Sequence, residues 1–97
     1  MKVLWFKTAR HDLLELRQYI AQHNPGAAHG VAVRIRAAVR TFMDHPQLGR
    51  PGRIEGTREL AVPQTPFVVA YRTVPGEIHV FAVIHGARQW PERFAEN

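Results

Sequence analysis

The sequence predicts an α+β domain of order β-α-α-β-β-β, with an antiparallel helical hairpin packed on a curved, mainly antiparallel sheet. Three observations carry this reading. Two adjacent segments repeat apolar residues at helical spacing and are parted only by Asn24-Pro25-Gly26. From Phe67 to Ile84 the chain is a run of β-forming residues, broken once at Pro75-Gly76. Between the two halves lies a stretch with Gly49, Pro51, Gly52 and Gly56, the composition of a loop. The 97 residues make one domain, 1–97.

Residues 2–6 read as a short strand. Thr8 is the expected cap of the first helix, with Asp12 and Glu15 in its first two turns, where negative charge suits the helix dipole. Ala9, Leu13, Leu16 and Ile20 form its apolar face, broadened by Leu14 and Tyr19. Asn24 ends this helix and caps the next, with Pro25 at the first helical position. The second helix is expected over about 25–44. Ala28, Val31, Ile35, Ala38 and Phe42 form its stripe, with Ala32 and Val39 beside it. The short connection forces an antiparallel hairpin, and the alanines let the helices approach closely. His29, Arg36 and Arg40 lie on the outer face, either solvated or docking an acidic partner.

His45-Pro46 stops the helix, and residues 46–56 read as loop. Strands are expected at 57–62, 66–74 and 77–85, with a wider turn between Pro63 and Pro66 and a tight one at Pro75-Gly76. In the penultimate strand Phe67, Val69 and Tyr71 point one way, and Val68 and Ala70 the other. In the last, Ile78, Val80, Ala82 and Ile84 are expected on one face, and Phe81 and Val83 on the opposite one. Both faces are apolar, yet two helices cover only one. The second face needs the C-terminal segment, with Trp90 and Phe94, the long loop, or a partner chain.

Composition narrows the function. Apolar residues make up 45%, as in a folded protein, and there is no cysteine, which excludes disulfides and thiolate metal sites and fits a reducing cytoplasm. The opening Met1–Lys7 is too short for a signal peptide or membrane span, so a soluble cytoplasmic protein with no membrane association is expected. The formal charge is +5, with eleven arginines against two lysines. High-GC codon usage enriches arginine, but the charge also implies an acidic partner, nucleic acid or protein.

No phosphate-cradling glycine motif and no His-Glu-x-x-His helix occurs, and a serine nucleophile is impossible because serine is absent. The six histidines lack ligand spacing, so neither a metal nor a cofactor is expected. What remains is a set of arginines near strand ends, Arg50, Arg53, Arg58 and Arg88, with His85 and Tyr71 as proton carriers and Trp90 beside them. Arginines could stabilise a phosphorane while histidine moves a proton. They could equally pair with Glu55, Glu59 or Glu92 as surface ion pairs.

Seven segments stand out in order along the chain: Ala9-x-x-Asp12-Leu13, Tyr19-Ile20, Asn24-Pro25-x-Ala27-Ala28, His45-Pro46-x-Leu48-Gly49-Arg50-Pro51-Gly52-Arg53, Gly56-Thr57-Arg58-Glu59-Leu60, Val68-x-Ala70-Tyr71-Arg72 and Val83-Ile84-His85-Gly86-Ala87-Arg88-Gln89-Trp90-Pro91. Together they resemble the ParE/RelE superfamily of toxins from type II toxin–antitoxin modules, the plasmid stabilisation proteins. The resemblance implies a helical hairpin on a curved sheet and a toxin neutralised by a cognate acidic antitoxin. The antitoxin's C-terminal segment would lay a helix on the hairpin and add an extended piece to the sheet. Arg36, Arg40, Val68, Ala70, Phe81 and Val83 are the expected antitoxin contacts. Operator DNA would be reached only through the antitoxin.

Target differs between branches. RelE-like members cut messenger RNA in the ribosomal A site, and ParE-like members poison DNA gyrase without chemistry of their own. Arg58 matches the arginine of RelE-like members at the strand start, and Arg88 falls near their second. On that branch Arg58, Arg88 and His85 are the catalytic set, and the chain is an endoribonuclease. The catalytic lysines are absent, and Phe94 stands where a functional tyrosine would be. The alanine-rich hairpin and the Val83-Ile84-His85 ending look ParE-like. There Arg50, Arg53, Arg58, Arg88 and Trp90 would grip the target. A third reading is a non-toxic module that only binds an antitoxin.

Overall fold

The structure is a computed structural model and describes residues 1–94. Strand β1 (Lys2–Trp5) leads into α1 (Lys7–His23) and α2 (Pro25–Thr41). Then come β2 (Arg50–Pro51), β3 (Arg58–Ala61), β4 (Phe67–Val74) and β5 (Glu77–His85). The five strands lie in the order β1-β5-β4-β3-β2. β1 runs parallel to β5, and every other pair is antiparallel. The architecture is the expected α+β one with one more strand, because Arg50 and Pro51 pair with Glu59 and Arg58. A proline is tolerated there because β2 is an edge strand.

Helix α1 starts without the expected threonine cap. Phe6 is the capping residue, in extended conformation and with no side-chain bond, and Thr8 already lies inside the helix. Phe6 N–H donates to the Val80 carbonyl at 2.9 Å, and its ring meets Phe81 edge-on at 5.0 Å, so strand pairing and aromatic packing fix the helix start. Asp12 lies beyond the first turn, which holds no acidic residue. Ala9, Leu13 and Leu16 are buried as expected, but Leu14 and Tyr19 are exposed at 52% and 67%. Asn24 does cap α2, accepting from Ala27 N–H at 3.2 Å, with Pro25 in the first turn. That helix ends at Thr41 rather than 44. Its last turn tightens through bonds from Phe42, Met43 and Asp44 N–H to carbonyls three residues back.

The hairpin covers one face of the sheet. Ala9, Leu13, Leu16, Ala32, Ile35, Ala38, Val39 and Phe42 pack there against Val69, Tyr71, Ile78, Val80 and Val83. Phe42 stacks on Tyr71 with ring centroids 3.9 Å apart. The expected alternation in β5 breaks at one point. Ala70 pairs with Ala82 but Tyr71 with Val80, so Phe81 is an extra residue, a β-bulge. Past the bulge the faces exchange. Phe81, Ala82 and Ile84 join Ala70 on the second face, and Val83 turns toward the helices.

The second face is closed by the chain itself. Phe6, Trp90 and Phe94 pack on Ala70, Phe81, Ala82 and Ile84, and Phe94 stacks on Phe81 at 5.5 Å. Val68, Ala70, Phe81 and Val83, the expected antitoxin contacts, are all buried within the chain itself. The C-terminal segment shields Ala70 and Phe81, and the bulge puts Val83 in the helix-side core.

Glu59 alone among the described charged residues is buried, at 3% exposure. Its carboxylate accepts from the Arg53 backbone N–H at 2.6 Å and from Arg50 Nη2 at 3.1 Å. The same loop presses Gly49 against the sheet. Gly49 N–H donates to the Tyr71 hydroxyl oxygen at 2.8 Å, and its carbonyl accepts from Arg58 Nη1 at 2.8 Å. A Cβ at position 49 would lie 2.7 Å from that hydroxyl oxygen and 2.9 Å from the Glu59 carbonyl. Gly49→Ala should cost about 1–3 kcal/mol by overpacking. Glu59→Leu should cost about 1–3 kcal/mol, because a part-buried N–H loses its acceptor. Arg50→Ala should cost under about 1 kcal/mol, its side chain being largely exposed. Urea denaturation of the three variants checks that order.

Candidate functional site

The expected site residues fall into separate groups. Arg50, Arg53 and Trp90 gather around Glu59 on the second face. The Arg53 guanidinium lies 4.0 Å over the Trp90 ring, and its Nη2 reaches the Gly86 carbonyl at 3.4 Å. Arg53 thus joins the loop, the buried carboxylate and the C-terminal segment. Paired to Glu59 and stacked on Trp90, Arg50 and Arg53 serve first as internal fasteners.

Arg58 stands on the helix side opposite Tyr71, spent on the Gly49 carbonyl. Burial, its largest influence, holds the Tyr71 hydroxyl above its ordinary pKa; the Gly49 N–H and the nearby Arg58 charge only partly offset this. A phenol so placed stays protonated at neutral pH and serves as a hydrogen-bond acceptor for the loop.

His85 and Arg88 lie elsewhere. His85 pairs with Phe67, four residues along β4 from Tyr71. That is about 14 Å of strand plus two strand spacings of about 4.8 Å from Arg58. The backbone thus separates Arg58 from His85, and the Arg58 guanidinium is turned to the Gly49 carbonyl. His85 Nδ1 accepts from Ala87 N–H at 3.1 Å, which puts the neutral ring's proton on Nε2. Arg36 and Arg40 are exposed on α2.

His85 and Arg88 share a groove with Asp12, a residue that the sequence places in the first two turns of α1 and in the Ala9-x-x-Asp12-Leu13 motif. Asp12 accepts the Val83 N–H at 3.0 Å. β1 stops pairing with β5 near Val80, and the Asp12 carboxylate serves the strand edge beyond it. Asp12, Glu15, Leu16, Tyr19, Ile20, Phe67, Val83, His85, Ala87 and Arg88 line a groove of about 490 Å³. Burial raises the Asp12 pKa above the ordinary aspartate value, and the Glu15 charge adds to this. The Val83 N–H, His11 and Arg88 pull it down. The motif Ala9-x-x-Asp12-Leu13 contains Asp12 but does not indicate this role, which depends on where β1 ends beside β5.

A second groove, of about 610 Å³, runs beside the edge strand β1. Val3, Leu4, Trp5, Leu13 and Leu14 give it an apolar floor, and Arg10, Arg17 and Arg36 supply its only charges. Among the described residues no three His, Cys, Asp or Glu side chains cluster as metal ligands, and no helix is long and apolar enough to cross a membrane.

The raised Asp12 pKa has a stability consequence of definite sign. The folded state holds this proton to higher pH than the unfolded chain, so stability is lost as pH rises through that window. Asp12→Asn keeps an acceptor for Val83 N–H without the charge. Its urea midpoint should exceed the parent's at pH 7, and the difference should vanish near about pH 3, where the parent is also neutral.

Comparison with known proteins agrees with this fold and its sequence. Residues 3–90 match the family model described as the ParE toxin of the type II toxin–antitoxin system parDE. Toxin Y4kP of Sinorhizobium fredii is 36% identical over 91 residues, covering 94% of each chain. Toxin RelE2 of Caulobacter vibrioides is 32% identical over 87 residues, 90% of this chain and 97% of the relative. A solved structure titled a chromosomal ParDE TA system from P. aeruginosa superposes with a TM-score of 0.81. It is 23% identical and covers 88% of this chain and 95% of the other. The chain belongs to the ParE toxin family of type II toxin–antitoxin systems.

Proposed function

We propose that this toxin arrests bacterial growth by binding DNA gyrase, and that an acidic antitoxin neutralises it. One observation carries the choice of binding over RNA cleavage: the arginines are dispersed and committed. Arg50 and Arg53 hold Glu59, Arg58 holds a loop carbonyl, and His85 sits four residues along β4 from Tyr71, the partner of Arg58. An endoribonuclease needs cations converging on the phosphorane and a proton carrier beside them. Gyrase would be gripped through the exposed basic surface of Arg50, Arg88 and the strip around Trp90. Such a function places the protein in the cytoplasm, with operator DNA reached through the antitoxin.

The antitoxin fits the groove beside β1. There an edge strand offers unpaired backbone groups, the floor is apolar, and Arg10, Arg17 and Arg36 supply only positive charge. Arg40, one turn beyond Arg36, extends this basic surface. Val68, Ala70, Phe81 and Val83 would influence binding only through folding, because they are buried.

A RelE-like ribonuclease is the second reading, favoured by the relatives named toxin RelE2 and toxin RelE1, the latter 29% identical over 83 residues. Purified toxin should inhibit gyrase supercoiling at micromolar concentration and leave ribosome-bound messenger RNA intact. RNA cleavage without gyrase inhibition would reverse the ranking, and then Arg58→Ala and Arg88→Ala should each slow cleavage by about 10²–10³. Arg17→Glu with Arg36→Glu should weaken binding of the acidic antitoxin at least about tenfold, with a shallower salt dependence measured by calorimetry.

A further inference from the structure

The groove between α1 and the end of β5 contains Asp12, which neither reading uses, beside Arg88 and His85, whose charge and imidazole those readings invoke without it. Its volume, about 490 Å³, lies within the range of small-molecule sites, about 300–1,000 Å³. Three kinds of group face it. The Asp12 carboxylate is fixed by one hydrogen bond from Val83 N–H to Oδ2, which leaves Oδ1 and the second lone pair of Oδ2 to accept. Among the described residues Arg88 has no ion-pair or hydrogen-bond partner for its guanidinium, and His85 has none for Nε2–H. Phe67 and the exposed Tyr19 supply aromatic surface.

We propose that this groove binds a guanine nucleotide, with Asp12 accepting from the base's Watson–Crick edge and Arg88 and His85 holding its phosphate. An ionised carboxylate only accepts, so it selects a base edge that offers donors. Guanine presents two side by side, N1–H and N2–H₂, whereas adenine, cytosine and uracil each present one donor next to an acceptor. An arginine fork and an imidazole N–H suit a phosphate. Aromatic rings at the walls give the base a stacking surface, the usual way an unstacked base is held. The burial of Asp12 carries an electrostatic cost, which a neutral asparagine could avoid while still serving Val83. A bound guanine gives that charge a use. The site stands whichever macromolecule the toxin acts on. The nucleotide is either free or an unpaired guanine within a strand.

The test is titration of the isotopically labelled full chain, followed by amide NMR, with 5′-GMP, 5′-AMP and inorganic phosphate. GMP should shift the amides of Val83, His85, Ala87 and Arg88, and bind at least about tenfold more tightly than AMP or phosphate. Asp12→Asn should keep the native spectrum and lose about tenfold in GMP affinity, with phosphate binding unchanged. Arg88→Ala should weaken GMP toward the affinity of guanosine. A single-stranded tetranucleotide with one guanine should bind more tightly than GMP if the ligand is a strand, and less tightly if it is a free nucleotide. No shift at these amides with GMP up to about 10 mM, or equal affinity for GMP and AMP, would overturn the assignment. So would GMP affinity unaffected by Asp12→Asn.

Discussion

Glu59 is the charge this fold takes out of water, and the second face of the sheet is arranged around keeping it paired. A buried carboxylate is tolerable only with donors in place. Here they come from one loop: the Arg53 amide at 2.6 Å and the Arg50 guanidinium at 3.1 Å. Once the loop is drawn in, Gly49 comes against Tyr71 and Glu59, where no side chain fits. Arg53 then lies over Trp90 and secures the C-terminal segment across the apolar face. Loop, carboxylate and tail therefore depend on one another, and a two-residue strand, β2, is the visible result.

This dependence bears on how the family's basic residues are read. An arginine beside a strand end looks like a phosphate ligand in sequence. In the folded chain three of the four loop and strand-end arginines have internal partners, so positive charge alone does not locate an active site. Among the described residues, unspent cations line two grooves. Arg10, Arg17 and Arg36 stand beside the free edge of β1, and Arg88 lies beside Asp12. The first group faces an apolar floor and suits a macromolecular partner. The second faces a carboxylate and an imidazole, a mixed environment of the kind that recognises a small polar molecule.

Much of the fold could be read from the chain. Ala9, Leu13 and Leu16 on α1, Ala28 to Phe42 on α2, and the Asn24-Pro25 junction declare themselves by period and capping chemistry, because those signals are local. What escaped depends on contacts distant in sequence. The bulge at Phe81 reverses the faces of Ala82, Val83 and Ile84, and nothing in an alternating apolar run marks where a residue is skipped. The start of α1 is fixed by Phe6 bonding to Val80, not by Thr8. Leu14 and Tyr19 match the helical period closely enough to look buried, yet the neighbouring elements leave them in solvent. For the site, His85 and Arg88 were legible as polar groups at and just after the end of the last strand. Asp12 was not, since its position beside Val83 arises only when α1 lies along the end of β5.

The Asp12–Val83 bond also decides how this sheet can grow. Beyond Val80 the margin of β5 has lost β1 as a neighbour, and such a margin is an open template for sticky, uncontrolled lateral assembly. The aspartate oxygen occupies the amide that an incoming chain would need first, and α1 stands in its path. Lateral extension on that side is confined to β1, beside its arginines, so a visiting strand is selected by charge before it forms its first backbone bond.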